Sequence, residues 1–170
     1  RLKIFLLLFI VASSILSVNA ISGIWISAEE ISNLPMSGSA WTSLKSKADS
    51  SCGTPDLSNQ DDPTNVCIMA KALVFARTQQ ASYRNDVITA LKSIINSGTF
   101  NDRALPLGRE LAAYVISADL INLKNYDSAL DSQFKNKIKE LLTTPTTGGP
   151  NNLIGCNEKR PNNWGLHCGA

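Results

Sequence analysis

Apolar residues recur every three or four positions along most of this 170-residue chain, which is the spacing of one face of an α-helix. The stripe that follows the helix-start signal Asp61-Asp62-Pro63-Thr64 consists of Val66, Met69, Ala70, Leu73 and Val74. Later stripes consist of Tyr83, Val87, Leu91, Ile94 and Ile95; of Leu107, Leu111, Val115, Ala118 and Ile121; and of Leu130, Phe134, Ile138, Leu141 and Leu142. No segment combines a period of two with hairpin turns. The sequence therefore predicts an all-α fold.

Start and stop signals divide this pattern into helices joined by short turns. Ser27 and Glu30 form a capping box, and Pro35 limits the helix that follows to a short one. Pro145 ends the last of the apolar stripes. Helices that follow one another through short turns form αα-hairpins, and here more polar helices alternate with more apolar ones. We expect consecutive helical hairpins arranged in a curved double layer.

Residues 1–20 have the pattern of a secretory signal peptide. Arg1 and Lys3 precede an unbroken apolar run over residues 4–12, and Val18-Asn19-Ala20 supplies a small-x-small cleavage pattern. The apolar run is shorter than the roughly 20 residues that span a bilayer. A membrane-anchored amino terminus is the alternative. We expect a secreted or periplasmic protein with no stable membrane anchor after cleavage, whose folded part is residues 21–170.

The charge balance of residues 21–170 excludes one class of function. Removing residues 1–20 takes away two basic residues and no acidic ones, which leaves 14 of each sign. A nucleic-acid-binding protein would need a basic face, so no nucleic-acid partner is expected. A polyanionic substrate would have to be held by local charge.

The four cysteines are expected to form disulfides, because the chain carries a secretion signal. Three pairings are possible, and the pairing Cys52–Cys67 with Cys156–Cys168 is favoured because each bridge then clamps one polar loop. A 15-residue loop closed in this way contributes about 3 kcal/mol. Zinc is the alternative, because His167 lies beside Cys168, but the spacing contains no C-x-x-C pair. We therefore expect no metal and no cofactor.

The last eleven residues contain several side chains that can take part in binding or catalysis. They hold two amides, an indole, the only histidine and a cysteine, as Asn162, Asn163, Trp164, His167 and Cys168. Gly169-Ala170 is not a helix stop. We expect the chain to be the amino-terminal part of a longer protein, with an exposed apolar flank where further helices pack.

Several segments resemble secreted proteins of the alginate-lyase-like superfamily. They read Ile24-Trp25-Ile26-Ser27, Leu34-Pro35, Ser37-Gly38, Ala40-Trp41, Gly108-Arg109-Glu110-Leu111-Ala112-Ala113-Tyr114 and Arg160-Pro161-Asn162-Asn163-Trp164-Gly165. The resemblance implies part of an incomplete (α/α) toroid. It also implies a polysaccharide lyase that cleaves a uronic-acid-containing, alginate-like polysaccharide by β-elimination.

The resemblance also implies roles for individual residues. Asn163 corresponds to the asparagine that binds the uronate carboxylate, and Trp164 stands where alginate lyases carry a histidine. The nearest histidine here is His167, so Asn163 and His167 are the expected catalytic residues. Asn162, Trp164, Arg109 and Tyr114 are the expected substrate-binding residues.

Each of these residues also has a structural alternative. Asn162 can be a helix cap after Pro161, and His167 can be a packed or solvent-facing residue. Trp164 can belong to the core. Arg109, Glu110 and Tyr114 can form a buried charged pair with a hydrogen-bonded tyrosine. Asp61-Asp62 lacks the alternating pattern of a calcium loop and is better explained as a helix start.

Two other classes of function remain open on the sequence alone. One is a non-catalytic helical domain that binds carbohydrate through the same cleft. The other is an (α/α)-barrel glycoside hydrolase, which needs two carboxylates facing one cleft. Glu110 and Asp119, nine positions apart on one helix, are its candidates. We expect them on nearby faces of that helix, where they are poorly placed to straddle a bond.

Overall fold

The computed structural model describes residues 23–148 and 151–169, except for the side chain of Trp164. The signal peptide predicted for residues 1–20 lies outside the described residues. The described residues confirm the all-α fold, with one isolated bridge between Arg103 and Thr147 outside the helices. Their helices are α1 (Ala28–Asn33), α2 (Gly38–Asp49), α3 (Thr64–Thr78), α4 (Ala81–Ile95), α5 (Ala104–Leu120), α6 (Leu123–Tyr126), α7 (Ser128–Thr143), α8 (Leu153–Lys159) and α9 (Asn163–Gly169). None of these helices is long and apolar enough to cross a bilayer.

Side-chain caps fix where several helices begin. The predicted capping box is formed, because the Glu30 amide donates to Ser27 Oγ at 3.2 Å and the Ser27 amide donates to Glu30 Oε2 at 2.8 Å. Asp127 caps α7 by accepting the Leu130 amide at 2.9 Å. α3 begins at Thr64, the last residue of the predicted start signal. These local signals act within one turn of the chain, so the sequence alone reveals them.

Helices α3 and α5 form the centre of the core. α3 packs against α2, α4 and α5, and α5 also contacts α8 and α9. Consecutive helices pack together as the hairpin prediction requires, in α2–α3, α3–α4, α6–α7 and α8–α9. Fully buried apolar side chains include Val74, Val87, Leu91, Leu107, Leu120, Leu123 and Leu141. The toroid stays a prediction from the resemblance.

One disulfide joins a polar loop to a helix, and the other joins two helices. Cys52, in the loop after α2, is bonded to Cys67 of α3, with the Cα atoms 5.7 Å apart. Cys156 of α8 is bonded to Cys168 of α9, with the Cα atoms 5.9 Å apart. This is the pairing favoured on sequence grounds. Because Cys156 and Cys168 are bonded to each other, neither thiolate is available for the zinc alternative.

Candidate functional site

Helix α9 lies directly against α5 at Gly108. A Cβ atom placed on Gly108 would lie 2.6 Å from the carbonyl oxygen of His167 and 2.9 Å from Cα of Cys168. No side chain fits at that separation, so a glycine here lets the two backbones touch. The disulfide from Cys168 to Cys156 also ties α9 to α8. The position of His167 is thus fixed by a close helix crossing and a covalent bond.

A cleft of about 430 Å³ lies beside this crossing. We call it the histidine cleft, because His167 and Trp25 supply its polar and aromatic surface. The His167 side chain is exposed, and Trp25 is 55% exposed. The remaining wall is mainly apolar and includes Leu111, Ala112, Ile116, Leu142 and Leu153. An exposed indole beside an imidazole is suited to a ligand with both an apolar face and polar groups.

A second cleft of about 330 Å³ continues the first one along α5 and α7. Ile24, Val115 and Ile138 line both clefts, so the two clefts are adjacent, and we call the pair the groove. We call the second part the lysine cleft, because its charged lining residues are Lys124, Lys135, Lys139, Asp119 and Asp131. Lys135 is paired with Asp131 at 2.7 Å. Lys124 and Lys139 are exposed and have no ion-pair partner in the described part of the chain.

Asp119 positions the segment that carries Trp25. The amides of Gly23 and Ile24 both donate to Asp119 Oδ2 at 3.0 Å. This contact pins the start of the described chain to the last turn of α5, next to the groove. Trp25 was not among the predicted site residues, although it lies in a segment that carries the family resemblance. Its place depends on a contact between residues almost a hundred positions apart in the chain.

Asn163 and His167 lie one turn apart on α9. Both side chains are exposed, and a spacing of four residues places them about 40° apart around the helix axis. Asn162 occupies the position before α9, and its carbonyl accepts the Leu166 amide at 3.3 Å. This geometry is that of a helix cap, the structural alternative for Asn162. His167 lines the groove directly, and Asn163 lies one turn from it. The Trp164 side chain is outside the described residues.

Arg109 and Tyr114 lie outside the groove. Arg109 is exposed on α5 but is not among the described lining residues of either cleft. Tyr114 is fully buried, so a substrate in the groove does not reach it. The helix rotation between Gly108 and Tyr114 is about 240°, which turns the tyrosine away from α9. The substrate-binding roles predicted for these two residues have no geometric support.

Glu110 and Tyr114 instead form a buried polar cluster with the loop before α3. Glu110 is 2% exposed, and its Oε2 atom and the Tyr114 hydroxyl have no hydrogen-bond partner among the described residues. Burial, together with the nearby carboxylates of Asp62 and Asp61, raises the pKa of Glu110 to about 7, and the Arg109 guanidinium opposes this shift. Burial also raises the pKa of Tyr114.

The same geometry separates the two carboxylates of the hydrolase alternative. Glu110 is buried in this polar cluster, whereas Asp119 lines the lysine cleft. Nine residues correspond to about half a turn beyond two full turns, so the two side chains lie on opposite sides of α5. They do not face one cleft. Among the described residues, no three His, Cys, Asp or Glu side chains are placed together to hold a metal ion. Asp61 and Asp62 are therefore not part of such a group.

The groove therefore brings together His167 and Trp25, with Asn163 one turn from the histidine. At its far end lie two lysines that have no ion-pair partner among residues 23–148 and 151–169. No protein-family model, curated protein or solved structure matches the chain.

Proposed function

We propose that the chain belongs to a secreted polysaccharide lyase that holds a uronic-acid-containing, alginate-like polysaccharide in the groove and cleaves it by β-elimination. The observation that carries the proposal is that the two clefts are adjacent. One is lined by Lys124 and Lys139, which have no ion-pair partner among the described residues, and the other by an exposed histidine and an exposed indole. A polysaccharide with a carboxylate on each sugar can contact the lysines through one sugar and the histidine and indole through another.

Local charge supports a polyanionic substrate. Lys124 and Lys139 place two positive charges in the lysine cleft that no described carboxylate neutralises. Lys135 is paired with Asp131, and the Asp119 carboxylate keeps its negative charge while it accepts two backbone amides, so the charged lining residues leave a net charge of +1. A local positive charge of this kind can attract a uronate polymer even though residues 21–170 are formally neutral.

The chemistry of elimination gives each residue near His167 a role. A base removes the proton from the carbon next to the carboxylate, and the electron pair forms a double bond as the glycosidic oxygen leaves. In this proposal His167 takes that proton and, as the imidazolium, returns it to the leaving glycosidic oxygen. The amide of Asn163 donates to the carboxylate oxygens as negative charge develops there. Trp25 offers a flat apolar surface for a sugar ring.

A second candidate is carbohydrate binding without catalysis. It is favoured by one observation, that His167 is the single titratable side chain among the described residues lining the histidine cleft. Elimination requires a group that takes a proton and a group that returns one. A binding domain would use the same groove and the same Trp25 surface with no proton transfer.

Two measurements on the full-length protein test the proposal. The first is binding to alginate at increasing salt. The double variant Lys124→Ala/Lys139→Ala should bind more weakly and with a smaller salt dependence, whereas Lys92→Ala, an exposed lysine on α4 outside the groove, should bind as the wild type does.

The second measurement is the ultraviolet absorbance of the unsaturated uronide that elimination generates. His167→Ala should abolish its appearance, whereas Leu166→Ala, on the exposed side of the same helix, should not. Binding without any absorbance change would favour the second candidate. No binding to any uronate polymer would contradict the lyase proposal.

A further inference from the structure

A separate cavity of about 300 Å³ lies between α3, α4 and the loop that follows α2. It shares no lining residue with the groove. Its polar lining consists of Ser51, Thr54, Lys71, Asp86, Thr89 and Ser93. Ile68 and Ala90 supply part of an apolar wall. We call it the Lys71 pocket.

Lys71 forms the floor of this pocket. Its side chain is 7% exposed, and its ammonium group donates to the Ala48 carbonyl at 2.8 Å and lies 2.8 Å from Asp86 Oδ2. An ammonium group has three N–H donors, and the Tyr83 ring centroid lies 5.9 Å from the ammonium nitrogen, so these contacts leave one donor without a hydrogen-bond acceptor among the described residues. Asp86 is half exposed at the rim, and its second oxygen can still accept a hydrogen bond. The pocket thus pairs an available donor with an available acceptor.

The rim of the pocket carries hydroxyl groups with unused hydrogen-bonding capacity. The side chains of Ser51, Thr54 and Ser93 form no hydrogen bond within the described part of the chain. The Thr89 hydroxyl donates to the Asn85 carbonyl at 3.0 Å, which leaves its oxygen free to accept. Protein hydroxyls can both donate and accept, and so can the hydroxyls of a ligand.

We propose that the Lys71 pocket binds a small neutral polyhydroxy compound, of the size of one sugar ring. One ligand hydroxyl accepts from the Lys71 ammonium, and a neighbouring hydroxyl donates to the Asp86 carboxylate. The rim hydroxyls bind the remaining ligand oxygens. The volume lies at the lower end of the range of about 300–1,000 Å³ for ligand pockets, which suits a single ring rather than a stretch of polymer.

The charge of the pocket selects a neutral ligand. Lys71 and Asp86 already neutralise each other at 2.8 Å, so an anionic ligand would face the Asp86 carboxylate as well as the ammonium. A zwitterion would have to separate the pair before its own charges gained partners, which costs the pair's hydrogen bond. A hydroxyl compound bridges the pair without breaking it.

This proposal does not rest on the function proposed for the groove, and amide chemical shifts distinguish the two sites. The test is NMR titration of the full-length protein with methyl glycosides of glucose and mannose. Saturable shifts are expected at the amides of Gly53 and Thr54, with dissociation constants in the millimolar range. Shifts confined to the amide of His167 and its neighbours would place binding in the groove and overturn the proposal.

Two variants with a matched control complete the test. Thr89→Leu fills the pocket from an exposed helix position, and Ser93→Leu fills it from one turn further on; neither changes Lys71 or Asp86. Each should weaken the binding at least tenfold. Lys92→Ala, on the same helix and outside the pocket, should leave it unchanged.

Acetate and glycine serve as anionic and zwitterionic probes of the same amides, and neither should produce saturable shifts. Saturation by either of them in place of the glycosides would overturn the proposal. No saturable shift with any glycoside, or unchanged binding in both leucine variants, would do the same.

Discussion

Gly108 of α5 and His167 of α9 are in direct backbone contact, since a Cβ on Gly108 would lie 2.6 Å from the His167 carbonyl oxygen. This contact sets the place of the histidine at the edge of the groove. A side chain added at Gly108 must push α9 away, because the atoms it meets are backbone rather than a movable side chain.

Gly108→Ala should therefore destabilise the docking of α9. We expect the free energy of unfolding to fall by about 1–3 kcal/mol, the usual range for a side chain forced into a packed contact. Amide hydrogen exchange in α9 should become faster. Differential scanning calorimetry and hydrogen exchange measure the two effects. Gly98→Ala is the matched control, because a Cβ there meets no atom within 4 Å. An equally large loss at Gly98 would contradict the explanation.

The Cys156–Cys168 disulfide should stabilise the same helix. The double variant Cys156→Ser/Cys168→Ser should have a free energy of unfolding about 3 kcal/mol lower, which is the usual effect of removing a cross-link that closes a loop of this length. Amide hydrogen exchange should become faster mainly in α8 and α9. The Cys52→Ser/Cys67→Ser variant should affect the loop before α3 and leave α9 protected. Equal exchange in α9 for both double variants would show that the disulfide does not hold it.

Glu110 should make the protein less stable as the pH rises. Its pKa is raised from 4.5 to about 7 in the folded state, so between these values the folded state binds more protons than the unfolded state. Stability from this group is present below pH 4.5 and is lost as the pH rises through 7. Glu110→Gln should remove this loss and raise the free energy of unfolding by about 1 kcal/mol at pH 8. This is less than the full pKa shift implies, because a buried glutamine amide also has hydrogen-bonding groups to satisfy.

The measurement for Glu110 is the melting temperature from pH 4 to pH 8, compared with Glu158→Gln, which changes an exposed glutamate on α8. The Glu110→Gln curve should be flatter than the wild-type curve, and the Glu158→Gln curve should follow the wild type. Parallel curves for Glu110→Gln and the wild type would show that Glu110 stays ionised when buried.

Asn163 should matter for the transition state more than for binding. If its amide binds the developing dianion, Asn163→Ala should lower kcat by about a hundredfold or more, as loss of one oxyanion donor does in other enzymes. KM should change much less, because the interaction strengthens as the charge develops. Steady-state kinetics of the full-length protein on alginate measure both constants. A fully active Asn163→Ala variant would remove this residue from the site.

The features that the sequence predicted correctly are those with local causes. The capping box at Ser27 and Glu30 and the helix start at Thr64 are decided within a few residues. The pairing of Cys52 with Cys67 follows from the polar loop that it closes. Such signals do not depend on how distant helices pack.

The features that the sequence did not reveal depend on distant contacts. Helical periodicity gives the angle between Gly108 and Tyr114 but not which side of α5 faces α9, so Tyr114 was expected at the substrate and is buried instead. Trp25 precedes the first helix, and Asp119 brings it to the groove. Lys71 lies between Ala70 and Ala72 on α3, and only the packing of α3 against α4 brings its ammonium group to Asp86.

The mass of the products tests the central claim most directly. Elimination adds no water when it breaks a glycosidic bond, whereas hydrolysis adds one water for each bond broken. For the full-length protein acting on alginate, each product with a newly formed non-reducing end should be lighter by one water than the corresponding hydrolysis product. These products should be absent for His167→Ala and present for Leu166→Ala. Products that carry the added water, or unsaturated products formed at the wild-type rate by His167→Ala, would contradict it.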